Sequence, residues 1–323
     1  MNVVLIKSYT DKPWRSPETY RLIEDSLQEQ WDVASITPAT EEGLHDFLTQ
    51  QRRGDSTLPF VFNIAEYLDE ENKAGFLPSL LDEWQVPHLG SSAETVAIGL
   101  NKAKTKALLD ANQIPTPGYF VAHDERVDLE RRAENLAYPL IVKPLLEGGH
   151  IGISEKSIVY NDEELRKAIN HVVENYAQPA LVEEYITGED MREFSVGVID
   201  NGTRIFTPVE IDYDSMDVEK KILSYEAAQK DLERIKLVED EAMRNEINAL
   251  AARTFDAVGA SDYARIDLRM NHIGCYVLEI NIMPGLGPQS FLPDAAKQIH
   301  DLEYDELMHS LAESSMQRQF FCS

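Results

Sequence analysis

The segment YARIDLRMNHIGCYVLEIN, residues 263–281, carries four polar side chains that could act together. Arg265 and Asp267 lie two residues apart in its first half, and Glu279 and Asn281 lie two residues apart in its second. Side chains alternate between the two faces of a strand, so each pair shares a face. Two carboxylates and an amide oxygen are ligands that suit a hard cation such as Mg²⁺. The alternative is an ion-pair network at the protein surface.

The register of this hairpin decides whether the two pairs meet. A three-residue loop, His272-Ile273-Gly274, would place Asp267 opposite Glu279. Such loops characteristically end on a glycine in the left-handed region, which predicts that conformation for Gly274. A loop with an even number of residues would instead place Asp267 opposite Leu278, on the other face. The three-residue loop leaves an apolar opposite face, so the sequence favours a site here.

Phosphate-binding features precede this hairpin in the chain. Lys143 ends the apolar run YPLIVKP, where a single ammonium group suits a phosphate. The loop EGGHIGI follows, and Gly148 and Gly149 would let backbone N–H groups approach phosphate oxygens. A simple turn explains these glycines equally well. The chain has neither a GxxxxGK[ST] motif nor the HRD and DFG motifs of protein kinases, so it belongs to neither class.

The first 95 residues are expected to form an open α/β unit. The apolar runs NVVLI, LPFVFNIAE and VPHLGS predict buried strands, and Ser16-Pro17 predicts a helix start. Loops that follow such strands form the usual ligand crevice. This makes five residues candidates for substrate contact, with a solvated loop as the alternative for each: Lys12, Trp14, Arg15, Asn63 and Glu66.

The remainder of the chain mixes helices with hairpins. The capping-box pattern at residues 91–94 predicts one helix over ETVAIGLNKAKTKALLDANQ. Asn201-Gly202 predicts a type I′ turn between two strands. Residues 212–241 are highly charged and are predicted to lie outside the core, with a loop between Asp212 and Ile235 that becomes ordered when nucleotide binds.

Composition limits the partners of the protein. The 323 residues include 30 Lys and Arg against 57 Asp and Glu, a formal charge of −27, which disfavours nucleic acid and anionic membrane surfaces. Only two cysteines occur, without metal-ligand spacing. No signal-peptide pattern and no apolar run of membrane-spanning length is found, so we expect a cytoplasmic protein.

Taken in order, five segments resemble the ATP-grasp superfamily, and within it the branch that is similar to D-alanine–D-alanine ligases. They are NKAKTKALLDANQIPTP, YPLIVKP with EGGHIG, LVEEYITGEDMREFSVGV, YARIDLR and VLEINIMPGLGPQS. The resemblance implies an α/β fold, α+β in the C-terminal half, with a Rossmann-like N-terminal domain. The implied domains are residues 1–98, 99–187 (central ATP-grasp) and 188–323 (C-terminal ATP-grasp).

The resemblance also implies a role for individual residues. Arg265 would stabilise an acyl phosphate and the oxyanion that follows it, and Ser290 would receive a substrate carboxylate. Two Mg²⁺ ions, with Mn²⁺ as an alternative, would bind Asp267, Glu279 and Asn281. The residues implied to bind ATP are Lys102, Lys143, Gly148, Gly149, Glu183, Glu184, Ile186 and Glu193. His150 and Gly285 join Lys12, Arg15 and Glu66 as candidates for substrate contact.

The segments that would contact substrate depart from the family pattern. The loop KSYTDKPWRSPE contains cations where D-alanine ligases have a glutamate, and Glu147-Gly148-Gly149-His150 replaces Glu-Gly-Ser-Ser. Ala228 and Gln229 stand where a lysine and a tyrosine are expected.

These departures predict an ATP-dependent ligase that joins a small carboxylate to an amine without being a housekeeping D-alanine–D-alanine ligase. A divergent D-alanine–D-alanine ligase and a non-catalytic nucleotide-binding module are the alternatives. Homodimers are common in the resembling family. From the loop composition we hypothesise that Arg15 binds an anionic group of the substrate.

Overall fold

The computed structural model describes residues 2–10, 12–52, 58–123, 136–216, 218, 220–226 and 233–320. Within these residues the strands are β1 (Asn2–Ile6), β2 (Asp32–Ile36), β3 (Phe60–Phe62), β4 (Tyr67–Asp69), β5 (Ala74–Phe76), β6 (Tyr119–Ala122), β7 (Leu140–Pro144), β8 (Ile158–Val159), β9 (Ala180–Glu184), β10 (Arg192–Asp200), β11 (Arg204–Ile211), β12 (Ile235–Leu237), β13 (Tyr263–Asn271) and β14 (Gly274–Asn281).

The α-helices of the described residues fall between and after these strands. They are Pro17–Gln28, Glu41–Gln50, Leu77–Glu83, Ala93–Gly99, Lys102–Ala111, Asp162–Tyr176, Glu241–Val258, Phe291–His300 and Tyr304–Phe320. Ser16 caps the first helix by accepting a hydrogen bond from the Thr19 N–H, as predicted. In the described part of the chain, no helix has the length and apolarity needed to cross a bilayer.

The first sheet is parallel, in the order β2-β1-β3. Its central strand β1 is buried apart from Asn2, which explains the continuous apolar run NVVLI. The run VPHLGS contributes only an isolated bridge between Val61 and His88, so the third strand predicted there is wrong. The parallel pairing of β1 with β3 brings the loops after both strands to one edge of the sheet.

Two further sheets carry the residues that resemble a nucleotide site. One is antiparallel in the order β6-β9-β7-β8, with the helix Asp162–Tyr176 packed on it. The other is antiparallel in the order β12-β11-β10-β13-β14. The mixed fold matches the predicted α/β class with α+β character in the second half, and this prediction is confirmed.

The hairpin of β13 and β14 pairs the predicted residues, but the register arises in a different way from the one predicted. Arg265 lies opposite Asn281 and Asp267 lies opposite Glu279. Asn271 pairs with Gly274, so the loop has two residues, and Gly274 has no positive φ. An irregularity next to Asp267, where Leu268 pairs with Val277, shifts the register by one residue. A β-bulge, and not a three-residue loop, therefore brings the polar residues together.

The turn between β10 and β11 also differs from its prediction. Asp200 pairs with Arg204, which leaves a three-residue loop in place of a two-residue type I′ turn. Gly202 has a φ of 88°, whereas Asn201 is not in the left-handed region. A type I′ turn needs positive φ at both of its central residues, so that turn type was wrong.

The long helix predicted after residue 92 is two helices. The first ends at Gly99, and Asn101 then caps the second by accepting a hydrogen bond from the Lys104 N–H at 3.1 Å. Asn favours this position because its side-chain oxygen satisfies a free N–H of the first turn. The break places Lys102 at the first turn of the second helix, where it faces the hairpin.

Hydrophobic cores of the protein combine segments that are far apart in the sequence. One core joins Val3, Leu5 and Phe60 of the parallel sheet to Leu307 and Met316 of the last helix. The predicted division at residues 98 and 187 stays a prediction. The charged stretch after Asp212 does contribute to cores, since Ile222 and Leu223 are buried, which corrects the expectation that it lies outside them.

Candidate functional site

A cavity of about 1470 Å³ runs between the first sheet, the glycine-rich loop and the hairpin of β13 and β14. A smaller cavity of about 60 Å³ lies beside it, between the second and third sheets. Arg265, His150 and Glu279 line both cavities. The structure therefore brings together segments that are far apart in sequence, as a nucleotide and two further substrates would require.

Arg265 and Asp267 form a bidentate salt bridge on the polar face of the hairpin. Arg265 donates from Nε to Oδ1 at 3.0 Å and from Nη2 to Oδ2 at 2.8 Å. Asn281 Nδ2 donates to Oδ2 at 2.9 Å, and Ser195 Oγ donates to Oδ1 at 2.8 Å. Burial by itself would lower the pKa of Arg265, but Asp267 and Glu279 raise it above its usual value. The guanidinium is thus a permanent positive charge held in a fixed direction.

Glu279 lies in a strongly positive environment. Lys102 Nζ is 3.7 Å from its Oε2. Burial would raise the pKa of Glu279, but Lys102, Lys143, His150 and Arg265 lower it to about 2. The carboxylate is therefore ionised at neutral pH, which is the form that can bind a cation.

The side chains on this face could supply some, but not all, of the ligands of a magnesium ion. In the part of the chain that the structure describes, no three His, Cys, Asp or Glu side chains come together as a metal site. Asp267 and Glu279 provide carboxylates and Asn281 provides an amide oxygen, which are the hard donors that Mg²⁺ takes. Mg²⁺ usually keeps waters and binds substrate phosphates as well, so two carboxylates and an amide are compatible with it. Asp267 would have to share its oxygens with Arg265.

Lys143 belongs to a buried cluster of three charges that the sequence did not reveal. Lys143 and Lys106 both form ion pairs with Glu183, and the Lys106 Nζ lies 2.8 Å from Glu183 Oε2. Burial would raise the pKa of Glu183, but the two ammonium groups lower it to about 2. Lys106 also donates to Thr116 Oγ1 at 2.7 Å. Glu183 is thus the common partner of Lys106 and Lys143.

Glu193 is held by a second buried network. Arg269 donates from Nε to Glu193 Oε2 at 2.8 Å, and the Tyr213 hydroxyl donates to the same oxygen at 2.9 Å. Burial by itself would lower the pKa of Arg269, but Glu193 raises it. Arg269 and Tyr213 were both missed from sequence. Both side chains are buried because of how the strands pair, and this pairing cannot be predicted from the residue types.

Glu184 and Ile186, which are also predicted to bind ATP, lie at the wall of the smaller cavity. Glu184 Oε1 accepts a hydrogen bond from the Ala137 N–H at 2.9 Å. The backbone N–H of Glu184 donates to the Gly118 carbonyl. The Ile186 carbonyl accepts from Arg269 Nη1 at 3.4 Å. Leu278, displaced by the β-bulge, lines the same cavity and not the apolar core.

Trp14 closes one side of the larger cavity. It packs against Gly285, where an added Cβ would lie 2.8 Å from the Trp14 Cβ and 2.9 Å from Ser290 Oγ. It also approaches Gly149, which has a φ of +58°. Ser290 precedes the helix Phe291–His300 and its side chain makes no capping bond within that helix. The predicted substrate residues Gly285 and Ser290 therefore meet at one wall.

Arg15 lines the larger cavity, but its side chain faces two carboxylates. Its side chain is only 7% exposed and forms ion pairs with Glu66 and Glu70. Its charge is already matched by two carboxylates, so the geometry does not support binding of an anionic substrate group by Arg15. Lys12 lies over the Trp14 ring, 5.6 Å from its centroid. Asn63 is buried, and its side chain bonds to the Ala65 backbone, as in a turn.

His150 is near the opening between the two cavities. Its Nε2 lies 3.5 Å from Glu233 Oε1, and its φ of 59° is in the left-handed region. Ala228 and Gln229, which replace the expected lysine and tyrosine, lie outside the described residues. The same holds for part of the segment between Asp212 and Ile235, so the predicted nucleotide-dependent loop stays a prediction.

One parallel and two antiparallel sheets surround the cavities, and the hairpin of β13 and β14 carries two carboxylates. This arrangement is the ATP-grasp fold. The solved structure of D-alanine–D-alanine ligase from Bacillus anthracis complexed with ATP has the same fold. It superimposes with a TM-score of 0.78 and 21% identity, covering 99% of this chain and 98% of that one.

Sequence comparison places the chain more narrowly. The family model described as D-ala D-ala ligase C-terminus matches residues 108–313. A D-alanine–D-alanine ligase of Marinomonas sp. is 32% identical over 252 residues, which cover 76% of this chain and 74% of that protein. An uncharacterized protein of Sinorhizobium fredii is 29% identical over 269 residues, 82% of this chain and 76% of that protein. The chain belongs to the D-alanine–D-alanine ligase family, and the prediction of an ATP-dependent ligase is confirmed.

Proposed function

We propose that the protein joins the carboxylate of one amino-acid-like substrate to the amine of a second, at the expense of ATP. The observation that carries this proposal is the shared polar face of β13 and β14. It presents Arg265, Glu279 and Asn281 to the larger cavity, where Lys102 and the loop Gly148–Gly149 also lie. A protein that only bound nucleotide would need no fixed guanidinium in the chamber where substrates meet.

Two covalent steps follow from this proposal. The substrate carboxylate oxygen attacks the γ-phosphorus of ATP, the bond to the bridging oxygen breaks, and ADP leaves with its electron pair. The amine nitrogen then attacks the acyl carbon of the resulting acyl phosphate, a tetrahedral oxyanion forms, and its collapse releases phosphate and one proton. Only a neutral amine can attack, so a proton must leave the ammonium before the bond forms.

The residues of this chain have separate tasks in these steps. Lys102 and Lys143 would bind phosphate oxygens, and Lys143 would have to leave Glu183 to do so. Backbone N–H groups of the loop Gly148–Gly149 would approach the transferred phosphate. Arg265 would stabilise the charge that develops on the acyl oxygen, because its direction is fixed by Asp267 before substrate arrives.

A divalent cation, when bound, would neutralise phosphate charge and orient the γ-phosphate. Asp267, Glu279 and Asn281 are the residues that would hold it. Their ligand types support this role, as does the low pKa of Glu279, about 2. We also propose that the domains divide at residues 98 and 187. Adenine is proposed to bind near residues Glu183 to Ile186.

D-alanine–D-alanine ligation is a second candidate. Relatives with that name, from Marinomonas sp. and from Hydrogenovibrio crunogenus, are 32% and 30% identical to this chain, which supports it. The cavity argues for another substrate pair, because Gly149 and His150 replace the two serines of the family's glycine-rich loop, and Trp14 lies next to Gly149 in the same cavity. The proposed substrates are therefore amino acids or close analogues that differ from two D-alanine molecules.

The test is ADP release with ATP, Mg²⁺ and a panel of amino acids, supplied singly and in pairs, followed by mass analysis of the products. The proposal predicts a condensed product from at least one pair and little product from D-alanine alone. D-alanyl-D-alanine as the main product would favour the second candidate. No amino-acid-dependent ADP release with any pair would reject both.

A further inference from the structure

His150 and Glu233 form a pair at the opening between the two cavities. His150 Nε2 lies 3.5 Å from Glu233 Oε1, and both residues line the larger cavity. His150 belongs to the glycine-rich loop, whereas Glu233 precedes β12. The histidine stands at a position where the family pattern of this loop has a serine. The pair is therefore particular to this chain, and it has no task yet in the two covalent steps.

The second covalent step needs a group that accepts a proton, because the attacking amine is an ammonium ion at neutral pH. Among the described residues, three ionisable side chains line both cavities: His150, Arg265 and Glu279. Burial would lower the pKa of Arg265, but Asp267 raises it above its usual value, so the guanidinium stays protonated. Burial would raise the pKa of Glu279, but nearby cations lower it to about 2, so Glu279 is too weak a base. An imidazole, in contrast, suits proton exchange at neutral pH.

Glu233 determines which nitrogen of His150 is available to a substrate. In a neutral imidazole one nitrogen carries the proton and the other has a lone pair. Because Nε2 faces a carboxylate, the proton belongs on Nε2, and Nδ1 is the acceptor. Within the described part of the chain, the buried Glu233 Oε1 makes no hydrogen bond, and His150 is its ion-pair partner. Catalytic hydrogen bonds of this length often shorten once substrate is bound.

The backbone of the glycine-rich loop holds the imidazole in place. Gly149 and His150 have φ values of 58° and 59°, both in the left-handed region. Residues other than glycine rarely adopt this conformation, and those that do are concentrated at functional sites. The Ile153 N–H donates to the His150 carbonyl at 2.9 Å, which closes the turn. The His150 side chain is 17% exposed, so it is held against the protein and not extended into solvent.

We propose that His150, positioned by Glu233, is the general base that takes a proton from the ammonium group of the second substrate. This inference rests on the proposed ligase function. His150 is a catalytic residue, because it touches the reacting amine. Glu233 is a positioning residue, because it acts only through His150.

The proton transfer completes the second covalent step. The ammonium nitrogen gives one proton to His150 Nδ1, and the lone pair that remains on nitrogen forms the bond to the acyl carbon. When the tetrahedral intermediate collapses, the bond from the acyl carbon to the phosphate oxygen breaks, and phosphate leaves with the electron pair. The nitrogen loses its second proton in this collapse. The imidazolium then returns its proton to solvent.

Hydroxylamine separates the two covalent steps in an experiment. It is neutral at pH 7 and attacks an acyl phosphate without the help of a base, which gives a hydroxamate. The enzyme receives ATP, Mg²⁺ and an amino acid that supports ADP release, together with either hydroxylamine or the partner amino acid found in the panel. The rates of hydroxamate and amide formation are measured on the same protein. Loss of a base for the ammonium group lowers the rate of amide formation and spares that of hydroxamate formation.

The variants are His150→Asn and His150→Ser. Asparagine tolerates a positive φ and has no basic nitrogen, and serine is the residue of the family pattern. We expect amide formation to fall about 10²- to 10⁴-fold, as when a general base is lost, and hydroxamate formation to keep the wild-type rate. Equal losses of both rates in both variants would show that His150 acts on the phosphate or on the fold, and would overturn the inference. Wild-type amide formation in either variant would overturn it as well.

His272→Asn is the matched control. His272 Nδ1 lies 3.5 Å from Asp190 Oδ1, the same separation as in the cavity pair, but the His272 side chain is 71% exposed. The residue also lies outside the linings of both cavities. Both rates should equal those of the wild type. A selective fall in amide formation in this variant would contradict the assignment of the base to His150.

Glu233→Gln tests the positioning role. The amide keeps the shape of the side chain but no longer holds a proton on Nε2 through a charge. We expect amide formation to fall about tenfold to hundredfold, with hydroxamate formation at the wild-type rate. The double variant with His150→Asn should be no slower than His150→Asn alone, since both changes remove one function. Additive losses would show that Glu233 acts independently of His150 and would contradict the positioning role.

The same measurements separate this inference from the proposed function. If the wild type forms neither hydroxamate nor amide with any acid of the panel, the ligase proposal fails and the inference fails with it. If the wild type forms both products and His150→Asn forms them at the same rates, only the inference fails.

Discussion

Arg265 and Asp267 are joined by two parallel hydrogen bonds, of 3.0 and 2.8 Å, on the face of the hairpin that looks into both cavities. The residue that would stabilise the oxyanion is thus tied to a residue that would bind the cation. A movement of either side chain would therefore strain both hydrogen bonds.

Arg265→Lys tests the need for two bonds in fixed directions. A lysine keeps the positive charge but cannot donate to both oxygens of Asp267 along parallel lines. We expect kcat to fall about 10²- to 10³-fold, as when one preorganised donor of an oxyanion is lost. Steady-state kinetics will measure this. Arg253→Lys, at an exposed arginine that donates to the Gln113 carbonyl, is the control and should keep wild-type kinetics.

Glu279→Gln tests the carboxylate that lies 3.7 Å from the Lys102 ammonium group. The amide is nearly isosteric but carries no charge, so one anionic ligand for the cation is removed. We expect ADP release to fall more than about 100-fold, with a melting temperature close to that of the wild type. Wild-type turnover in this variant would rule out Glu279 as a metal ligand, and Glu71→Gln provides the control for a change of charge alone.

Glu183→Gln tests the buried three-charge cluster through stability. Removing the carboxylate leaves Lys106 and Lys143 without their common partner, so at pH 7 we expect a loss of about 3–5 kcal/mol in the free energy of unfolding. Urea unfolding will measure it. Glu163→Gln, in an exposed pair with Lys167, is the control and should unfold at the same urea concentration as the wild type.

The same variant has a predictable pH dependence. The folded pKa of Glu183, about 2, lies below its ordinary value of 4.5. A lowered pKa means that the stabilisation is complete above pH 4.5 and is lost as the pH falls towards 2. The difference between wild type and Glu183→Gln should therefore shrink in this range. A difference that stays constant from pH 7 to pH 3 would contradict the assignment of the charge to Glu183.

Gly285→Ala tests the wall formed by Trp14. The added Cβ would lie 2.8 Å from the Trp14 Cβ, so one of the two segments must move. We expect a destabilisation of about 1–3 kcal/mol, typical of overpacking, with a lower kcat/KM for the substrates. Chemical unfolding and kinetics will measure both. Gly43→Ala, in the helix Glu41–Gln50, should leave the kinetics unchanged.

The hairpin shows what alternation in a sequence can and cannot predict. The period of two correctly placed Arg265, Asp267, Glu279 and Asn281 on one face. It could not show that a β-bulge, and not the loop length, sets the register, because a bulge leaves no residue signature as clear as a glycine turn. Leu278 consequently lines a cavity, although its spacing predicts a core position.

Charged residues in buried clusters were the least predictable. Arg15 lies about fifty residues from Glu66 and Glu70 in the chain, and only the parallel pairing of β1 with β3 brings them together. Lys106 had a weak signal, since it follows Lys102 by one helical turn and so shares its face of the helix. Residue types alone do not tell a buried lysine from a solvated one.

The core that joins β1 and β3 to the helix Tyr304–Phe320 has a consequence for protein engineering. The first strands pack on Leu307, Leu311 and Met316, so the N-terminal α/β unit cannot be exchanged as an independent module. A chimaera that takes its substrate loops from a relative must take the matching C-terminal helix as well. Contacts between segments this distant also close late in folding, because a long loop must be ordered first.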